Sequence, residues 1–114
     1  MPYLTIQTNR EVSPDQREPL LTAASRLLAK ELGKPESYVM VSLNSDVPML
    51  FGGTGEPAAY AELKSIGLPA GQIKSLSRSI CSLLEQRLDI PPARVYIEFT
   101  DIKGSQWGWN GGTF

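Results

Sequence analysis

Gly33 to Ser45 reads GKPESYVMVSLNS, and Asp89 to Asp101 reads DIPPARVYIEFTD. A shift of 56 positions puts Pro35 on Pro91, Val39 on Val95, Val41 on Ile97 and Leu43 on Phe99. The same shift carries the preceding Leu20, Ala24, Leu27, Leu28 and Leu32 onto Leu76, Ile80, Leu83, Leu84 and Leu88. Those positions recur at three- and four-residue steps, the period of a helix with one apolar face. So many coincidences at one offset identify an internal repeat. The 114 residues therefore read as one domain built from two copies of a unit, about residues 2–57 and 58–114.

Each copy reads strand, helix, strand. The first opens with a strand over Tyr3 to Thr8, in which Tyr3, Thr5 and Gln7 alternate with Leu4, Ile6 and Thr8. Ser13-Pro14-Asp15-Gln16 has the grammar of a helix start: a Ser cap, a Pro at the first position and a Gln able to complete a capping box. Pro19 conflicts with a regular first turn, so either that turn is kinked or the regular helix starts near Glu18. Gly33 ends the helix and Pro35 prevents its resumption. The second copy predicts a strand over about Ala59 to Ile66, a helix over about Gln72 to Leu88 and a strand from Arg94 to Thr100.

Two right-handed βαβ units side by side make an α/β fold, a four-stranded sheet with both helices on one face. Val39, Val41, Leu43, Val95, Ile97 and Phe99 supply the face turned to the helices. The other face carries Tyr38, Met40, Ser42, Arg94, Tyr96, Glu98 and Thr100, too mixed for a dry core and too aromatic for bare water. Such a face, with open sheet edges, predicts a symmetric oligomer wrapped around a partly wet interior.

Composition narrows the chemistry. The net charge is −1 with both signs interspersed, so neither a nucleic-acid stripe nor a solvating acidic tail is present. Met1-Pro2-Tyr3-Leu4-Thr5 lacks the charged-then-apolar pattern of a secretion leader, and no run approaches the ~20 apolar residues of a membrane span. The expected compartment is the cytoplasm. There is no histidine and one cysteine, which leaves no His-based triad, no internal disulfide, no His-ligated metal site and no cysteine-built zinc site. Cys81 falls in the helical pattern as a small core residue.

Pro2 is the sharpest candidate for catalysis. Initiator methionine is commonly removed before a small residue, and its removal would leave a secondary amine at the start of a strand. An α-amino group titrates at about 7.7–8.0, and desolvation lowers that value, leaving neutral base near pH 7. With Met1 retained the same nitrogen is an amide without basicity. Gly52-Gly53-Thr54-Gly55-Glu56-Pro57 is a glycine-rich loop that matches neither phosphate-binding fingerprint, and it also reads as a tight connection between the copies. Trp107, Trp109 and Phe114 crowd the last eight residues, either docking on a neighbour or walling a pocket.

Taken together, Pro2, Gly33-Lys34-Pro35 with Tyr38, Phe51-Gly52-Gly53 with Glu56-Pro57, Ser65-Ile66-Gly67, Arg94-Val95-Tyr96-Ile97 and Gly108-Trp109-Asn110 with Thr113-Phe114 resemble the macrophage migration inhibitory factor family of tautomerases along nearly the whole chain. The resemblance implies a homotrimer with active sites shared between neighbours. It implies keto–enol tautomerisation of phenylpyruvate-like α-keto acids and dopachrome-type compounds, without metal or organic cofactor. It makes Pro2 the general base, Lys34 the holder of the substrate carboxylate and Ile66 a backbone N–H donor, with Ser65 beside it. Tyr96 would come from the neighbour as a wall and phenolic donor. Trp107, Trp109 and Phe114 would form a dry rim, with Tyr3 and Tyr38 at the mouth.

The chain also departs from that pattern. Ala58-Ala59-Tyr60-Ala61 stands where the better-known vertebrate member has a Cys-x-x-Cys pair, so no thiol–disulfide activity is expected. Glu98 replaces a frequent Asn, and Trp107 replaces a smaller aliphatic residue, which should narrow the pocket. The family also includes cytokines, so the alternative is a signalling module that meets a receptor protein, with Asp46 and Arg10 as candidate contacts and a weak or vestigial pocket; a trimeric scaffold is a third reading. Family members can be exported unconventionally.

Overall fold

The computed structural model describes residues 1–114. In chain order the main elements are β1 (Pro2–Thr8), α1 (Pro14–Leu32), β2 (Met40–Asn44), β3 (Ala59–Ile66), α2 (Ile73–Leu88) and β4 (Val95–Ile102). A short hairpin of β5 (Gly108–Trp109) and β6 (Gly112–Thr113) ends the chain. One sheet holds four strands in the order β2-β1-β3-β4. β2 runs parallel to β1 and β4 parallel to β3, while β1 and β3 are antiparallel at the centre. That is two βαβ units set head to tail, the arrangement the 56-residue repeat predicts.

Burial alternates along the central strands as a one-sided sheet requires. Pro2, Leu4, Ile6 and Thr8 of β1 and Ala59, Ala61, Leu63 and Ser65 of β3 are buried. Leu4, Ile6, Ala59, Ala61 and Leu63 share one core with Leu20, Ala24 and Leu28 of α1 and Leu76, Ile80, Leu83, Leu84 and Leu88 of α2. The two outer strands add Val39, Val41, Leu43, Val95, Ile97 and Phe99, partly buried against that core. Each fully buried aliphatic side chain stabilises the fold by about 1.5–3 kcal/mol relative to an exposed one.

The start of α1 removes one of two alternatives. Ser13 Oγ accepts the Gln16 N–H at 3.3 Å and Gln16 Oε1 accepts the Ser13 N–H at 3.1 Å, a complete capping box. The helix is continuous from Pro14, and does not begin near Glu18. Pro19 is tolerated because the carbonyl it leaves without a donor, that of Asp15, lies in the exposed first turn where water can reach it. The second helix enters through a 3-10 turn, Ala70–Gln72, so its regular part begins at Ile73. β4 runs two residues beyond Thr100.

The terminal hairpin is an element that the repeat does not predict. Asn110 and Gly111 both adopt positive φ, 52° and 78°, the left-handed pair that turns a two-residue hairpin. Asn-Gly was legible as that turn, but only two residues on each side pair, too few to show alternation in the sequence.

Candidate active site

The N-terminal end of β1 and the entry to β2 meet the C-terminal hairpin around a cavity of about 380 Å³. Met1, Pro2, Tyr3, Tyr38, Trp107, Trp109 and Phe114 line it, together with Ser37, Val39, Met40 and Gly108. Six of the residues singled out from sequence thus share one hollow, although they come from both ends and the middle of the chain.

Local structure accounts for each position. Pro2 is the first residue of β1 and lies on its buried face. Tyr38 is delivered by the 3-10 turn Glu36–Tyr38 that follows Pro35. The hairpin is tied back by the Phe114 N–H on the Trp107 carbonyl at 3.2 Å. Trp109 and Phe114 stack at 5.2 Å with 19° between planes. Tyr38 meets both edge-on, at 5.7 Å and 5.9 Å. Three rings so interlocked hold a rigid apolar wall. Tyr3 is anchored by its hydroxyl, which shares a 2.7 Å hydrogen bond with Ser42 Oγ.

Lys34, Ser65 and Ile66 form a polar shoulder just outside that lining. Ser65 faces Pro2 in register across β1 and β3. Lys34 Nζ donates to the Ile66 carbonyl at 3.0 Å, and Ser65 Oγ donates to the same oxygen at 3.4 Å. The N-terminal amine here, that of Met1, is pushed below its ordinary value by desolvation and then by the nearby Lys34 ammonium.

Tyr96 does not reach this cavity. In register it faces Tyr60, which faces Gln7, five residues along β1 from Pro2. At ~3.3 Å per residue and ~4.8 Å per strand that is ~16 Å along the sheet and ~10 Å across it. Glu98 is on the same outer face, accepts from Thr100 Oγ1 and pairs in register with Glu62. Sequence reasoning missed Ser37, Val39 and Met40 as lining residues. Their signal is adjacency to Tyr38 at a free sheet edge, and the alternation of Val39, Val41 and Leu43 marks Val39 only as a core residue.

The family model for macrophage migration inhibitory factor (MIF) matches residues 1–114. The chain belongs to the MIF family. It is 44% identical over 115 residues to a MIF homolog of Brugia malayi, covering 100% of this chain and 99% of the relative. It is 42% identical over 117 residues to the MIF of Xenopus tropicalis, with the same coverage. The crystal structure of a MIF homologue from Prochlorococcus marinus superposes with a TM-score of 0.94 at 45% identity, covering 98% of each chain. The structure of the MIF from Trichinella spiralis gives 0.90 at 36% identity, covering 98% of this chain and 99% of that one.

Within this MIF-family chain Ala58, Ala59 and Ala61 are buried and carry no thiol. Cys81, half-buried on α2, has its pKa raised by burial and by Glu85, against a hydrogen bond from Ser77. No helix is long and apolar enough to cross a membrane.

Proposed function

We propose that this chain is a cofactor-free isomerase that moves a proton on phenylpyruvate-like α-keto acids, with the freed amine of Pro2 as general base. The observation that carries the reading is the setting of Pro2: less than 2% exposed, at an aromatic cavity, where the chain's own amine is already lowered by desolvation and Lys34. Once Met1 is removed, the Pro2 nitrogen inherits both influences and is neutral over more of the physiological range.

The chemistry then follows. The carbon next to the ketone gives its proton to the Pro2 nitrogen, and the electron pair left behind forms the C=C bond. The ketone oxygen takes up the negative charge and receives that proton back from the Pro2 ammonium, giving the enol and restoring the neutral base; the reverse path returns the proton to carbon. Lys34 pairs with the substrate carboxylate, for which it trades or shares its Ile66 carbonyl, and the Ile66 N–H assists. Trp107, Trp109, Phe114, Tyr3 and Tyr38 exclude water, which keeps the amine poorly hydrated. The working form is a homotrimer in which Tyr96 of a neighbour completes the wall, a reading that its distance from the cavity in its own chain supports.

The test compares Met-free wild type, verified by intact mass, with Met-free Pro2→Gly in phenylpyruvate enolisation. The variant should lose at least about a hundredfold in kcat, the scale of a general base. Equal rates would remove the proposal.

Protein–protein signalling is the second reading, favoured by the names of the relatives and by the exposed Asp46, whose N–H donates to the Arg10 carbonyl at 2.9 Å. Receptor binding that survives loss of Pro2 would support it.

A further inference from the structure

The corner of the sheet diagonally opposite the cavity is built around one guanidinium. Arg94 Nε donates to the Pro57 carbonyl at 2.9 Å and Nη1 to the Phe51 carbonyl at 3.2 Å. Nη2 donates to the carbonyls of Thr54 and Glu56, at 3.3 Å and 3.1 Å. Four of the five N–H donors of the group are thereby used on a single loop. The same guanidinium lies over the Phe51 ring, 5.1 Å from its centroid. For those carbonyls to converge, the chain turns back within Phe51–Thr54, through Gly52 at φ 60° and Gly53 at φ 80°. The glycines of this loop serve a cation clamp.

The clamp has a cargo. Phe51 leans on Tyr96, with ring centroids 4.7 Å apart and 47° between planes. Tyr96 is on the outer face of β4, two residues from Arg94, and is 66% exposed. The repeat gives this corner its meaning. A shift of 56 places Arg94 on Tyr38 and Tyr96 on Met40. In the first copy that corner is the open cavity, lined by Tyr38 and by Met40, itself 63% exposed. In the second it is filled by the clamped loop. The sheet order leaves β2 and β4 as free edges. A head-to-tail contact between copies, the kind that closes into a ring, can therefore set the filled corner of one against the open corner of the next.

We propose that Arg94 is a positioning residue acting across that boundary: by clamping loop 51–57 it fixes Phe51 under Tyr96, and so holds the aromatic wall that the neighbouring copy's cavity uses to capture substrate. It rests on the isomerase reading above, and concerns binding of the substrate, not the proton transfer at Pro2.

Lysine offers a point charge and cannot serve four carbonyls and a ring face at once. Arg94→Lys should raise the KM for phenylpyruvate by about tenfold and leave kcat within about twofold, the pattern of lost binding. Phe51→Leu, which keeps the four carbonyl hydrogen bonds and removes the ring between Arg94 and Tyr96, should do the same, and stands in if the Arg94 variant assembles poorly. Each variant is then co-expressed in equal amounts with Pro2→Gly, hybrids being confirmed by native mass spectrometry. An arginine acting on its neighbour leaves about a quarter of sites intact in a random mixture, so about a quarter of wild-type kcat/KM returns. An arginine serving only its own chain gives about a twentieth, because every working Pro2 then sits in an impaired chain. The lower value, or an unchanged KM in both single variants, would overturn the inference. An inactive wild type, or a Pro2→Gly as fast as wild type, would instead overturn the isomerase reading beneath it.

Discussion

Gly33 and Asp89 occupy the same station in the two repeats and close their helices in the same left-handed conformation, at φ 63° and φ 59°. Glycine takes that conformation without strain, whereas aspartate does so at a cost. Asp89 also places a negative charge at a helix C-terminus, where the macrodipole disfavours it. Asp89→Gly should therefore stabilise the fold by about 0.5–1 kcal/mol, and Gly33→Ala, which meets no neighbour within 4 Å but must keep the conformation, should destabilise it by about 1 kcal/mol. Urea unfolding midpoints check both; the same sign for the two would refute the equivalence.

The core makes a sharper demand. Leu63 pairs in register with Leu4 at the centre of the sheet, and both are fully buried. Leu63→Ala should cost about 2–5 kcal/mol, because neighbours on two helices and a strand cannot all close on the void. The expected result is a lower urea midpoint with an unchanged slope.

Cys81 should be a sluggish thiol. With burial and Glu85 raising its pKa, little thiolate exists at neutral pH. Its reaction with an aromatic disulfide reagent at pH 7 should be much slower in the folded protein than in denaturant, and should accelerate as pH rises. A native rate equal to the denatured one would contradict the placement.

Much of the fold was legible because the two copies read each other. The stripe from Leu20 to Leu32 gained its meaning from Leu76 to Leu88, and Val39, Val41 and Leu43 from their partners in β4. Boundaries at Pro19, Gln72 and Thr100 were less so, since a proline in an exposed turn and a 3-10 entry leave no clear periodic mark. The cavity was legible in its aromatic residues, but not in Met40 or Ser37, which carry no distinctive chemistry. Which carbonyls Arg94 would gather was invisible, because convergence of a loop on a side chain is a property of three dimensions.

The central claim is that the amine of Pro2 is a poorly hydrated base. Met-free protein labelled with 15N-proline reports it directly, through the Pro2 nitrogen shift followed against pH alongside kcat/KM for phenylpyruvate. Desolvation and Lys34 lower the pKa of the Met1 amine one residue away, so the freed Pro2 amine should titrate below the ordinary α-amino range of about 7.7–8.0. Activity should rise through that same midpoint as pH increases and then level off. A Pro2 midpoint within or above the ordinary range, or a rate profile that ignores it, would contradict the proposal.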